Sequence, residues 1–404
     1  MFHRADVGAV DKDRPSHEWI EQLRQAFPCE REIDRILVRK LKRRAGPPYA
    51  PVTLGTLVEG VQALLRSKLS DSFEILDERW LSGGASKLQM AFTLAWTQPG
   101  VGRVRTPMVL RMEPSESVVE TSRHREFQLI QAFAGCLPVP LAHWVDVEGT
   151  FLPYPAIVYE FASGVTKPAH GTSGVSGLGT NYGAALRPIL APQFVQHLAL
   201  IHTFDWREAD LSAFDVPSIG IEAAEWQLNW WERVWEEDSH EDVPLMRLAM
   251  SWMRSNMPHN DKISVIHADY RSGNFLYNED DNKISAWLDW ELGHLGDRHE
   301  DIAWVSNTVF GHYAEDEKTF LVCGLMPEEE FYSAYEKASG LSVNRKSIKF
   351  YQLFNAYKCV VLSLATGSRI ARLGKTHQDI LVAWLVGIGY PILDQMQSIL
   401  EEVI

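Results

Sequence analysis

Two short apolar runs late in the chain, Phe275-Leu276-Tyr277 and Ile284 to Trp290, are separated by Glu279-Asp280-Asp281-Asn282. Apolar, β-compatible residues on either side of a cluster of turn formers read as a β-hairpin. A hairpin constrains more than itself, because it decides what stands at its open end. Asn274 begins the first strand and Asp289 closes the second, so pairing the strands brings these two side chains near each other. Just ahead, Val265-Ile266 ends another apolar run, and His267-Ala268-Asp269-Tyr270-Arg271-Ser272-Gly273 is a loop by composition. Polar side chains wedged between apolar runs are costly unless they are satisfied or used.

The chemistry of the cluster is specific. A carboxylate and an amide oxygen converging at a loop mouth suit a hard cation. Mg²⁺ takes one or two carboxylates and completes its shell with waters and phosphate oxygens. Asn274 and Asp289 are therefore the candidate metal ligands. Asp269, on the same loop, is placed to orient a hydroxyl and accept its proton. Arg271 offers a delocalised charge to a moving phosphoryl group. Metal, base and cation are the parts of phosphoryl transfer, where positioning carries most of the rate.

The rest of the chain is consistent with a cleft to hold such a site. Its 404 residues are enough for two or three structural units. The first segment, 1–72, reads as a helical extension, with Leu57, Val61, Leu64 and Leu65 on one helical face. Within it, the basic run from Arg39 to Arg44 reads as a solvated helix end or a contact for phosphates. Residues 73–161 alternate like strands, with one helix expected over 118–133 and a polar loop over 97–107. Residues 162–404 are mainly helical, beginning with a Gly- and Ser-rich loop over 163–183 that is a candidate lid. A helix is expected to start at Pro192, and Trp226, Trp230 and Trp231 nearly share one side of another, as core or as the floor of a pocket. A sheet-rich lobe followed by a helical lobe leaves a cleft, the usual home of a ligand.

Several function classes are disfavoured. No apolar run reaches the roughly 20 residues needed to span a membrane, and the N-terminus has no apolar leader core. Cys29, Cys136, Cys323 and Cys359 form no CxxC pair or disulfide framework. A formal charge of −14 argues against nucleic-acid binding. A cytoplasmic enzyme with a small-molecule partner, no nucleic acid and no membrane is the expectation.

The spacing H-x-D-x-x-x-x-N over His267–Asn274, followed by a hairpin and Asp289, resembles the protein-kinase-like fold. The wording HADYRSGN, then D-W-E in place of D-F-G, then GDRHEDIAW over 296–304, resembles the aminoglycoside phosphotransferase family. The resemblance covers about residues 73 to 390 and implies a bilobal α+β fold, a small mixed-sheet N-lobe with a mainly helical C-lobe, using ATP and Mg²⁺. It implies further roles. Ser82, Gly83, Gly84 and Ser86 stand where the family covers the nucleotide phosphates. Arg111 stands where kinases usually carry Lys, Glu126 is its expected partner, and Glu160 falls at the hinge where backbone groups meet adenine. His267, His202 and Asp301 read as structural, Asp297 with Glu300 as a capping box, and Glu291 as a network member or a contact to a second metal.

The acceptor is the least constrained part. The stretch 289-DWELGHLGDRHEDIAWV-305 resembles the kinase-like domains fused to acyl-CoA dehydrogenases, which implies a hydroxyacyl-CoA. An aminoglycoside or a choline-like amino alcohol is the alternative, and a catalytically silent nucleotide-binding scaffold is an alternative of another class.

Overall fold

The computed structural model describes residues 10–47, 50–81, 87–168, 178–374 and 379–404. Three helices come first: α1 (His17–Ala26), α2 (Arg31–Arg44) and α3 (Leu54–Lys68). The Ser16 hydroxyl accepts from Trp19 N–H at the head of α1, and Thr53 accepts from Thr56 N–H at the head of α3. Each gives a first-turn amide an acceptor that the helix cannot supply.

A sheet and one helix follow: β1 (Glu74–Trp80), β2 (Leu88–Gln98), β3 (Gly102–Met112), α4 (Arg123–Phe133), β4 (Ala142–Asp146) and β5 (Ala156–Glu160). The sheet is mixed in its order, β1-β2-β3-β5-β4, while every neighbouring pair runs antiparallel. The loop expected over 97–107 shrinks to a tight hairpin with Gln98 opposite Gly102. Gly100 and Gly102 take φ of +75° and +101° there, conformations that a Cβ would strain. The helix expected from residue 118 starts at Arg123. Ser122 caps it by accepting from Arg125 N–H at 3.3 Å, and Glu120 before it pairs with Arg43 at 3.6 Å.

The C-lobe contains α5 (Gly183–Thr203), α6 (Glu222–Asp238), α7 (Pro244–Ser255), β6 (Ser264–Ile266), β7 (Phe275–Tyr277), β8 (Ile284–Trp287), β9 (His294–Gly296) and α8 (His299–Val305). A small sheet, β10 (His312–Tyr313), β11 (Phe320–Val322) and β12 (Met326–Pro327), precedes α9 (Glu328–Ser339) and α10 (Arg345–Val360). A π-helical stretch, Val361–Gly367, joins α10 to α11 (Ser368–Leu373), and α12 (Asp379–Val403) ends the chain. Pro192 is inside α5 rather than at its start. The proline costs a backbone bond, but Leu190, Ala191 and Phe194 around it are packed in the core. Trp230 and Trp231 stack at 5.2 Å and are 3% and 2% exposed, so they are core and not a pocket floor.

Two apolar cores show how the extension is used. Leu57, Val61, Leu64 and Leu65 of α3 meet Met90, Phe92, Leu94 and Leu110 of the sheet. Each such side chain contributes about 1.5–3 kcal/mol when fully buried. Ile33, Ile36 and Leu37 of α2 belong instead to the larger core, with Leu129 and Phe133 of α4 and Trp231, Trp287 and Trp290 of the C-lobe. The extension is thus divided between the lobes. No helix among the described residues is long and apolar enough to cross a membrane.

Candidate active site

The predicted hairpin forms, with Phe275 opposite Trp287 and Leu276 opposite Ala286. Leu288 N–H donates to Asn274 O at 2.8 Å, so the chain just ahead of Asp289 is tied to the start of the other strand. Asp289 takes a left-handed backbone, φ +65° and ψ +44°, and its side chain is 35% exposed.

The loop from His267 to Asn274 is held from below. Asp301, in the first turn of α8, accepts from His267 N–H at 2.8 Å and Ala268 N–H at 2.7 Å. Ala268 has φ +63°, uncommon for a residue with a Cβ, and these bonds hold the chain as it enters that kink. His202 Nε2–H donates to Asp301 at 3.2 Å, and Tyr335 hydroxyl donates to His202 Nδ1 at 2.8 Å. Burial pushes the His202 pKa down, so the neutral ring is a tether. His267 is likewise buried and its pKa lowered. Its Nε2–H donates to Leu288 O at 3.0 Å, which leaves Nδ1 to accept from Asp269 N–H at 3.3 Å. His267 links the loop to the strand before Asp289 and is not a proton carrier.

Asp269, the one carboxylate of this loop, is held by three donors. Its Oδ1 accepts from Arg271 Nε and from Trp304 Nε1, both at 2.9 Å, and its Oδ2 accepts from Asn274 Nδ2 at 2.6 Å. Asn274 Nδ2 also donates to Asp269 O at 2.8 Å, which turns the amide oxygen the other way. Arg271 is spent locally: Nη1 donates to Ser272 O at 3.0 Å, and the guanidinium lies 5.2 Å over Phe310. Lys358, from α10, donates to Ala268 O at 3.2 Å and lies 4.4 Å over the Trp304 ring.

From β3, Arg111 pairs with Asp289, Glu291 (3.2 Å) and Glu126 (3.5 Å). Arg123 pairs with Glu126, with Glu113 at 2.9 Å and with Glu291 at 3.0 Å. Lys87 pairs with Glu113 at 3.1 Å and Glu291 at 3.2 Å, and donates to Ser117 Oγ at 2.8 Å. Burial opposes charge on Arg111, but Asp289, Glu126 and Glu291 raise its pKa well above the ordinary value. Burial also works to raise Glu291, and Lys87, Arg111 and Arg123 overcome it and hold the carboxyl far below its usual range. Glu291 is therefore a network member.

Lys87, Glu113 and Arg123 escaped sequence reasoning. A usable signal existed for Glu113, since strand residues two apart share a face and Arg111 is two before it. Lys87 had a weaker one, as a cation opening the apolar run Leu88 to Trp96.

Some other expectations fall outside the described residues and some are revised. Ser82, Gly83, Gly84 and Ser86, and residues 169–177 of the candidate lid, lie outside the described residues. Glu160 N–H is taken by Leu141 O and Phe161 N–H by Pro107 O, each at 2.9 Å, so neither N–H is free to meet an adenine. The Glu160 side chain pairs with His143 at 2.9 Å. The capping box at α8 does not close: Glu300 lies between His294 (3.2 Å) and Lys358 (3.4 Å), while Asp297 accepts from His299 N–H at 3.1 Å. In the basic run, Lys40 and Arg44 are one helical turn apart on the buried face of α2 and pair with Glu237 and Asp238 at 2.5 Å each. They are not available to phosphates.

A two-lobed fold with a carboxylate–amide pair facing a buried arginine defines a phosphotransferase of the kinase-like type. A family profile described as "Phosphotransferase enzyme family" matches residues 90–340, and the chain belongs to that family. Acyl-CoA dehydrogenase family member 11 of Homo sapiens is 24% identical over 331 residues, 77% of this chain and 40% of its own length. Acyl-CoA dehydrogenase family member 10 of Mus musculus is 24% identical over 200 residues, 49% of this chain and 18% of its own. The chain thus spans less than half the length of these relatives. A crystal structure assigned as an aminoglycoside phosphotransferase from Ralstonia eutropha superposes with TM-score 0.61 at 19% identity, covering 85% of this chain and 98% of that one, a likeness of fold.

Proposed function

We propose that this chain transfers the γ-phosphoryl group of ATP to a hydroxyl of a small metabolite, with a hydroxyacyl-CoA as the favoured acceptor. The observation that carries the reading is Asp269, fixed by the three donors Arg271, Trp304 and Asn274, on the loop whose following hairpin ends at Asp289, the carboxylate that Arg111 meets. Asn274 and Asp289 would hold Mg²⁺. The donor set fits, because the Asn274 amide oxygen is turned away from Asp269 and the Asp289 side chain is partly exposed. Bound there, the ion would neutralise phosphate charge.

The chain's own residues do the rest. Asp269 Oδ2, which carries one donor where Oδ1 carries two, receives the acceptor's proton as the hydroxyl oxygen bonds to phosphorus and ADP leaves. Arg111, braced by Glu126 and Glu291, turns its fork from Asp289 to the phosphates. Arg271 steadies the base and lends positive charge beside it. The resemblance assigns Ser82, Gly83, Gly84 and Ser86 to the nucleotide phosphates and the hinge at Glu160 to adenine.

One feature favours a hydroxyacyl-CoA: relatives of this chain are named as acyl-CoA dehydrogenase family members. Incubation with ATP, Mg²⁺ and a panel of hydroxyacyl-CoAs, amino alcohols and aminoglycosides tests this by ADP release. Release dependent on a hydroxyacyl-CoA is expected. Release dependent on an aminoglycoside or amino alcohol would replace that acceptor, and ATP binding without turnover would leave a scaffold.

A further inference from the structure

α2 touches both α4, whose Glu126 pairs with Arg111, and α6 of the C-lobe. At its N-terminal end it grips the head of α4, the helix that carries Arg123 and Glu126. The Ser122 hydroxyl, which caps α4, donates to Glu32, and Arg35 holds Glu32 in place through Nε and Nη2 at 2.8 Å each. With its proton committed to Glu32, the Ser122 oxygen is set to accept from Arg125 N–H. Glu30 pairs with Arg125 at 3.2 Å, and both side chains are 3% exposed. Arg125 is pressed from its other side by Phe214, with the guanidinium 4.2 Å over the ring.

Further along, α2 is fastened to α6 in the C-lobe. Asp34 pairs with Arg233 at 2.7 Å, Lys40 with Glu237 at 2.5 Å and Arg44 with Asp238 at 2.5 Å. Arg233, Lys40, Glu237, Arg44 and Asp238 are all essentially buried. Ile36 and Leu37 fill the space between these ends. One rigid helix therefore fixes the head of α4 relative to the C-lobe, which bears Asp269, Asn274 and Asp289.

We infer that the N-terminal extension is a built-in clamp on α4, and that Glu30 and Glu32 are positioning residues acting through α4 and Glu126 on Arg111. Glu126 reaches Arg111 at 3.5 Å, so a shift of α4 by an ångström would open that pair. Displacements of that size at a phosphoryl site cost rate steeply. The clamp explains why α2 spends buried charge at both ends when apolar packing would serve stability as well.

The inference rests on the cleft being a MgATP site, so the probes are Mg·ADP and ATP without any acceptor. Mg·ADP binding is measured by calorimetry and acceptor-free hydrolysis by ADP release, on the whole chain, for the wild type, Glu30→Gln, Glu32→Gln and Arg31→Ala. Both glutamine variants are expected to weaken Mg·ADP binding and slow hydrolysis about tenfold. Arg31→Ala, which removes an exposed pair with Asp215 on the same turn, is expected to change neither. Melting temperatures separate positioning from stability: glutamine variants that melt earlier yet bind and hydrolyse like the wild type overturn the clamp. Glu126→Gln gives the second check. If α2 acts through Glu126, adding Glu32→Gln to that background costs less than about twofold, and a further tenfold loss overturns the route. Should Glu30→Gln fail to fold, the less buried Glu32→Gln decides. A wild type that does not bind Mg·ADP refutes the nucleotide reading itself, a result distinct from variants that match a binding wild type.

Discussion

Replacing Asp301 by Asn tests how the catalytic loop is held. The native carboxylate accepts from two backbone N–H groups and from His202, at 2.8, 2.7 and 3.2 Å, and is 0% exposed. Hydrogen bonds to a charged group are worth about 1.5–3 kcal/mol each, and a buried donor left without a partner costs about 1–3 kcal/mol. Asn offers one acceptor oxygen and turns an NH₂ toward the other donors, so one or two bonds are lost. The sum is about 3–5 kcal/mol. Burial alone would raise the Asp301 pKa, but His202 and the loop N–H groups outweigh it, and the folded value lies below the ordinary one. Stability from Asp301 is therefore fully present above its unfolded pKa of about 4 and is lost as pH falls through the folded value. Urea unfolding at neutral pH should show the full gap between wild type and Asp301→Asn, and the gap should narrow in acid. Turnover of the folded variant should also fall, because Ala268 loses the bond that stabilises its left-handed backbone and Asp269 moves with it. A variant within about 1 kcal/mol of the wild type at neutral pH, or a gap independent of pH, would refute the clamp on this loop.

Five further outcomes follow from the site. Asp269→Asn should lower kcat by about 10²–10⁴-fold while Mg·ADP binding, measured by calorimetry, stays within a few-fold. Trp304→Phe keeps a ring under Lys358 but removes the N–H on Asp269; steady-state kinetics should show kcat reduced by about tenfold with the KM for ATP unchanged. Arg111→Lys replaces a fork that meets three carboxylates with a point charge, so the KM for ATP should rise at least about tenfold. Chelating Mg²⁺ with excess EDTA should abolish transfer, and Asp289→Asn should raise the Mg²⁺ concentration needed for half-maximal rate.

Much of the candidate site was legible because it is local. His267, Asp269 and Asn274 lie within one loop, and the hairpin that brings Asp289 to them needs only a short turn between β-compatible runs. Glu126 and Arg111 were readable by resemblance, and the structure does bring them together. The misses have a common cause. Lys40 and Arg44 read as a solvated run, since nothing near them in sequence says that α6 will present Glu237 and Asp238. The capping box at Glu300 was a sound local rule, yet His294 and Lys358 offered closer charges from outside the helix. The early end of the expected 97–107 loop depended on β2 finding a partner of equal length.

Periodicity, turn chemistry and the spacing of Asp269, Asn274 and Asp289 are properties of neighbouring residues, and the chain alone determined them. Which carboxylate each buried cation meets was decided only in three dimensions. Lys87 and Glu291, or Glu30 and Arg125, are far apart in sequence, and their pairing follows from how the lobes and α2 pack. A backbone preference acts over a few bonds, whereas a buried charge takes whatever partner the surrounding core brings within reach.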